Sequence, residues 1–151
     1  MRMDVVADIG GTNARFALVR NGELGEVRTL PVHAFEGVVG ALHAYLALEK
    51  PGYAVSRFCL AVAGPVQDQK AVLTNARWAF DSEEIRRELQ ADAVHLLNDW
   101  EAVAWSLTGT NSVDVAYLHG EPSDVPRFGT QVLIGPGTGL GVAHLSATAE
   151  G

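Results

Sequence analysis

Cysteine is almost absent from the 151 residues: Cys59 stands alone. One thiol makes neither an intramolecular disulfide nor a thiolate zinc site, and it fits a reducing cytoplasm. Basic residues are also few, 11 Lys plus Arg against 18 Asp plus Glu, for a formal net charge of −7. With no Lys/Arg cluster, the chain has no electrostatic footprint for nucleic acid or anionic lipid. No apolar run reaches the roughly 20 residues of a membrane span. Asp4 and Asp8 interrupt the first apolar stretch, which excludes a signal-peptide reading. The five histidines (His33, His43, His95, His119, His144) have no metal-ligand spacing. What is present, 48% apolar and 19% charged residues, is the balance of a globular chain rather than a disordered or coiled-coil one. The expectation is a soluble, cytoplasmic α/β protein that handles a small molecule.

Along the chain, residues 5–9 form an apolar run, followed by Gly10-Gly11-Thr12 and a β-rich run over 14–20. Asn21-Gly22 predicts a tight hairpin, and residues 27–32 a third strand that Pro31 turns into an edge. A strand, turn, strand meander argues against a Rossmann start, whose glycine turn opens a helix. Apolar spacing predicts a helix over 35–49, ended by Pro51-Gly52. Residues 58–63 read as a strand buried on both sides, with Cys59 a small buried hydrophobe. A short strand over 71–73 leads to Thr74-Asn75, and Asp81-Ser82-Glu83-Glu84 opens a helix with a capping-box pattern. Residues 94–97 form a strand delivering Asn98-Asp99, with a helix start after it. Composition shifts at 108–112, so a small domain is placed at 1–110 and the start of a second at 111–151. Within the latter, residues 131–134, a glycine-rich turn and residues 140–145 repeat the opening strand, turn, strand unit.

Three groups carry candidate chemistry. In Asp8-Ile9-Gly10-Gly11-Thr12-Asn13, glycines let a turn present backbone N–H groups to a phosphate, the Thr hydroxyl adds a donor, and Asp8 lies where a phosphate-bound Mg²⁺ would be. The same string also reads as a hairpin turn needing positive φ. Gly135-Pro136-Gly137-Thr138-Gly139-Leu140-Gly141, with four glycines and a Thr in seven residues, is a second candidate phosphate turn, or a flexible linker or tight hairpin, and two such turns suit one polyphosphate clamped from both sides. Asn98-Asp99 offers a carboxylate to accept a hydroxyl proton and an amide to hold the alcohol, as phosphoryl transfer requires. It equally offers a helix N-cap. Thr74 and Asn75, with Trp78, could line a sugar pocket, and Trp78 could as well anchor the core.

Five segments occur in an order that resembles the bacterial glucokinases of the actin/hexokinase superfamily: ADIGGTNARFAL (7–18), CLAVAGPV (59–66), LTNARWAF (73–80), LLNDWEAVA (96–104) and IGPGTGLGVAHL (134–145). The resemblance implies a ribonuclease H-like domain with a mixed sheet, followed by the start of a second α/β domain. It further implies that Asp8, Ile9, Gly10, Gly11, Thr12 and Asn13, with Gly137, Thr138 and Gly139, bind ATP, and that Mg²⁺ accompanies the nucleotide at Asp8. Asn98 and Asp99 match the sugar-binding pair, with Asp99 the base for the glucose 6-hydroxyl. The reaction implied is ATP plus D-glucose giving ADP and glucose 6-phosphate, the entry to glycolysis, in the cytoplasm and commonly in a homodimer.

Members of that family are about twice as long and continue with a Gly-Glu-Gly-Gly-His segment whose Glu and His bind glucose. That segment has no counterpart here, so weak or no turnover is expected of the 151 residues alone, together with self-association through uncovered apolar faces of residues 35–49 and 131–145. A non-catalytic nucleotide- or sugar-binding module and a kinase of another hexose or amino sugar are the alternative readings.

Overall fold

The computed structural model describes residues 3–52, 54–73, 76–109, 116–120, 129–136 and 140–148. Alternation sets the first strand, β1 (Met3–Ile9): Met3, Val5, Ala7 and Ile9 are buried, while Asp4, Val6 and Asp8 fall on the opposite face. The chain reverses through Gly10-Gly11-Thr12 into β2 (Asn13–Arg20), antiparallel to β1, with Asp8 opposite Arg15 and Ile9 opposite Ala14. Asn21 and Gly22 have φ of 52° and 85°, the left-handed pair a two-residue hairpin demands. They lead into β3 (Glu23–Leu24). The strand expected over 27–32 is shorter, β4 (Arg28–Pro31), paired with β2, and a 3-10 turn at Val32–Ala34 follows it.

Helix α1 (Val38–Glu49) buries Val38, Ala41, Leu42 and Tyr45, one face of a 3.6-residue period. It starts three residues later than apolar spacing predicts. Phe35 is extended (φ −130°, ψ 146°), and its carbonyl accepts a hydrogen bond from the Trp78 indole Nε1 (3.1 Å), a bond that the local sequence does not encode. The helix ends at Lys50, which takes a left-handed φ of 44° and donates its N–H to the Leu46 carbonyl (2.9 Å).

Strand β5 (Val55–Val62) then runs parallel to β1. Strands β6 (Val66–Gln67), β7 (Lys70–Leu73) and β8 (Trp78–Asp81) form their own antiparallel sheet. Helix α2 (Ser82–Glu88) opens as its capping pattern requires, the Asp81 carboxylate accepting from the Glu83 N–H (3.0 Å). Strand β9 (Ala93–Asn98) pairs in parallel with β5, giving the order β3-β2-β1-β5-β9 among the described strands, with β4 also on β2.

Among the described residues the main apolar cluster lies on one face of this sheet. Phe58, Leu60 and Val62 of β5 enter a cluster with Val5, Ile9, Phe16, Leu42, Tyr45, Trp78, Ile85 and Leu96. On the opposite face Arg57 and Cys59 are exposed, so the expected burial of Cys59 does not hold: β5 alternates rather than being covered on both sides. That face instead carries the ion pairs Arg57–Asp4 and Arg15–Asp8. The apolar face of α1, expected to lack cover, is packed in the core. Trp78 is 1% exposed and anchors the core rather than lining a pocket.

By contacts the chain divides into Met1–Asp99 and Trp100–Gly151. Helix α3 (Asp99–Ser106) begins at that division. In the second unit β10 (Gly129–Pro136) and β11 (Leu140–Ala147) form an antiparallel hairpin, Gly135 facing Gly141 and Ile134 facing Val142. A Cβ at Gly135 or Gly141 would run into the Trp100 ring, so glycine lets the indole lie against the hairpin backbone. On the other face Val132, Ile134, Leu140 and Val142 are each more than half exposed. Among the described residues no helix is long and apolar enough to cross a membrane.

Tyr45 stacks on Phe16 at 5.3 Å between ring centroids, fully buried, with no hydrogen-bond partner for its hydroxyl among the described residues. Burial first, and the Glu49 charge second, push its pKa from the usual 10 to about 12. The folded chain therefore prefers the neutral phenol. The stability this contributes is complete below pH 10 and is lost as pH rises through 12, at most about 3 kcal/mol for a shift of this size. Tyr45→Phe is expected to raise stability at neutral pH by about 1 kcal/mol, since it removes an unpaired buried hydroxyl, and to abolish that alkaline loss. Urea unfolding at neutral and alkaline pH reads both effects, and a destabilised Phe variant would show that the hydroxyl is satisfied in solution.

Candidate functional site

Parallel pairing brings three strand ends to one edge of the sheet. Ile9 of β1 pairs with Val62 of β5, and Val62 with Asn98 of β9. The segments leaving these ends are the Gly10-Gly11-Thr12 turn, the Gly64-Pro65 bend and the start of α3. Loops at the carboxyl ends of parallel strands are the usual ligand-binding edge of an α/β sheet. Backbone bonds tie this edge together: the Ala63 N–H donates to the Ile9 carbonyl (2.9 Å), and the Val32 N–H to the Thr12 carbonyl (2.9 Å).

The first turn is closed by the Gly10 N–H donating to the Asn13 carbonyl (3.0 Å), which leaves Gly11 and Thr12 exposed at its tip. Neither Gly10 nor Gly11 has a positive φ. A Cβ at Gly10 would meet only the Asn13 carbonyl, at an ordinary 3.5 Å. The reading of this string as a turn that needs glycine for positive φ is thus set aside. Without side chains, Gly10 and Gly11 leave the backbone of this turn uncovered.

Asn98, the last residue of β9, shares the sheet face of Leu96 and Val62. Its Nδ2 donates to the Gly64 carbonyl (2.9 Å), joining the β5 exit to the β9 exit. Asp99 follows as the first residue of α3, half-buried, where the helix N-terminus favours a carboxylate. The pair thus spans the end of β9 and the first residue of α3, with the Asn98 side-chain bond directed to Gly64. Gly64 as the partner of Asn98 was not legible in the sequence, where Gly64-Pro65 signals only the end of a strand.

Asp8 lies on the opposite face from Asn98, in the row of Arg15 and Ala61. Its carboxylate accepts from the Arg15 guanidinium at 2.7 Å, both side chains being about half exposed (53% and 55%). Among the described residues no group of three or more His, Cys, Asp or Glu comes together. Asp8 thus offers a single carboxylate, already paired with Arg15, and a magnesium ion held there would need its remaining oxygen ligands from phosphate.

An open cavity of about 650 Å³ adjoins Gly64 and Pro65, with Gln67, Asp68 and Lys70 on its wall. Lys70 is held by Asp81 (2.9 Å), whose hydrogen bond raises the lysine pKa; the same contact holds the Asp81 carboxyl below its usual range. Thr74, Asn75, Gly137, Thr138 and Gly139 lie outside the described residues.

Comparison with known proteins bears on the whole chain. Residues 5–151 match the family model described as glucokinase. The glucokinase of Marinobacter nauticus is 38% identical over 144 residues, which cover 93% of this chain and 44% of that protein. That of Neisseria meningitidis serogroup C is 40% identical over 142 residues, covering 93% and 42%. The crystal structure of a glucokinase from an Antarctic psychrotroph superposes with a TM-score of 0.86 at 32% identity, covering 98% of this chain and 47% of that one. The chain thus spans less than half the length of these relatives. With a family match over residues 5–151 and a superposition that covers 98% of its length, the chain belongs to the glucokinase family.

Proposed function

We propose that this chain supplies the phosphate-turn and sugar-pair half of an ATP-dependent glucokinase, forming glucose 6-phosphate from D-glucose. The observation that carries the proposal is the alignment of Ile9, Val62 and Asn98 in one row, which sets an exposed glycine turn and the Asn98–Asp99 pair at the same sheet edge. The family match and the glucokinases at 38% and 40% identity support the same substrate and nucleotide.

On this reading Asp99 accepts the proton of the glucose 6-hydroxyl as the sugar oxygen bonds to the γ-phosphorus and the bridge to the β-phosphate breaks, releasing ADP. Asn98, its amide fixed on Gly64, holds the sugar so that the hydroxyl lies in line. The turn from Asp8 to Asn13 cradles phosphates through neutral N–H groups and the Thr12 hydroxyl, which lets an acidic chain bind an anionic nucleotide. Magnesium, when bound with ATP, neutralises phosphate charge. Thr74 and Asn75 as sugar contacts, and Gly137, Thr138 and Gly139 as a second phosphate turn, are part of the same proposal. So are the two-domain layout, a cytoplasmic setting and a homodimer.

The test is ATP-dependent phosphorylation by the full-length protein, followed through glucose 6-phosphate dehydrogenase and, for other sugars, through ADP release. Glucose is expected to be turned over with the highest kcat/KM. A folded protein that prefers an amino sugar or another hexose would replace glucose in the proposal, and one that binds ATP and glucose without turnover would make the chain a binding module.

A further inference from the structure

The β6–β7 hairpin ends in a turn whose two central residues, Asp68 and Gln69, both take left-handed φ (50° and 58°) without a glycine. Asn or Gly adopts that conformation more readily, so Gln69 is not the residue the turn itself selects. Its side chain makes a reciprocal pair of bonds to one residue of β9. The Leu96 N–H donates to Gln69 Oε1 (2.9 Å), and Gln69 Nε2 donates to the Leu96 carbonyl (3.2 Å). Among the described strands β9 ends the sheet, so these are the edge groups that no neighbouring strand takes up. A primary amide that both accepts and donates reproduces there the bonding of a missing strand. Two residues further on, the same strand delivers Asn98 and Asp99.

We propose that Gln69 is a positioning residue: its amide clamps the free edge of β9 and fixes the exit of that strand, and with it the Asn98–Asp99 pair. With Asn98 also bonded to Gly64, β9 is then held just before its exit by two segments remote in sequence. Kinetic consequences rest on the kinase reading above, whereas the clamp itself does not.

Two variants separate clamp from turn. Gln69→Asn retains a residue suited to left-handed φ, but its amide is one methylene too short to reach both Leu96 atoms. Gln69→Glu retains length and replaces the donor by a carboxylate oxygen facing the Leu96 carbonyl. In the full-length protein both are expected to lower kcat/KM for glucose about 10- to 100-fold, as small misplacements of reacting groups do, at unchanged KM for ATP. Amide hydrogen exchange at Leu96, Leu97 and Asn98 should speed up relative to β1, with Gln69→Asn no less stable overall. Wild-type glucose kinetics in both variants would overturn the positioning role. If the wild type turns over no sugar, the kinase reading falls and exchange decides: faster exchange confined to β9 supports the clamp, and unchanged exchange overturns it.

Discussion

Replacing Asp99 by Asn in the full-length protein is expected to lower kcat for glucose phosphorylation by about 10²- to 10⁴-fold, the loss typical of removing a positioned general base. Asn keeps the shape and a hydrogen-bonding oxygen, so the KM for glucose should change far less than kcat, the signature of an interaction used in the transition state. Stability should move little, because Asn also tolerates the start of a helix. The helix N-terminus favours the carboxylate over the amide by about 0.3–1 kcal/mol at a surface site, too little to unfold the domain. A variant within tenfold of the wild-type kcat would remove Asp99 from the role of base. One that fails to fold would assign the residue to α3 and leave the chemistry to other groups.

The largest effect on stability is expected at Trp78. Its ring is 1% exposed, packs beside Phe80 at 6.1 Å between centroids, and carries the indole N–H that binds the Phe35 carbonyl (3.1 Å). Trp78→Ala removes the largest fully buried side chain and leaves a cavity, a change that costs about 3–5 kcal/mol. The Phe35 carbonyl loses its donor as well. For a domain stable by about 5–15 kcal/mol, a large part of the native population is then at risk. Trp78→Phe keeps most of the apolar volume while losing the donor and part of the ring, so a smaller cost of about 1–3 kcal/mol is expected of it. Chemical denaturation of the two variants measures both costs. An Ala variant as stable as wild type would mean that the β8 segment is not part of the folding core.

The elements legible in the sequence were those encoded over a few residues. An apolar run and a β-rich run mark β1 and β2, Asn21-Gly22 the turn from β2 to β3, and Asp81-Ser82-Glu83-Glu84 the start of α2. Features set by partners far along the chain were not legible. The start of α1 depends on Trp78, 43 residues from Phe35. The exposure of Cys59 depends on which sheet face the helices cover, and an apolar string such as FCLAVA does not record that. The Gln69–Leu96 bonds join residues 27 apart through a side chain that looks like any surface glutamine. For the site, the glycine turn and the Asn98-Asp99 pair stand out locally as residues suited to phosphate and proton chemistry. Their convergence follows from the parallel register of β1, β5 and β9, which only the fold supplies. The assignment of sugar and nucleotide came from the order of the motifs rather than from any one of them.

The proposed activity makes these residues half of a working glucose-phosphorylating enzyme. Its most direct test is to let this chain replace the matched segment of the Marinobacter nauticus glucokinase and to measure NADP reduction through glucose 6-phosphate dehydrogenase with ATP and glucose. The expected result is glucose-dependent turnover comparable to the parent enzyme, lost when the transplanted chain carries Asp99→Asn. A folded chimera that binds ATP and glucose yet forms no glucose 6-phosphate would contradict it.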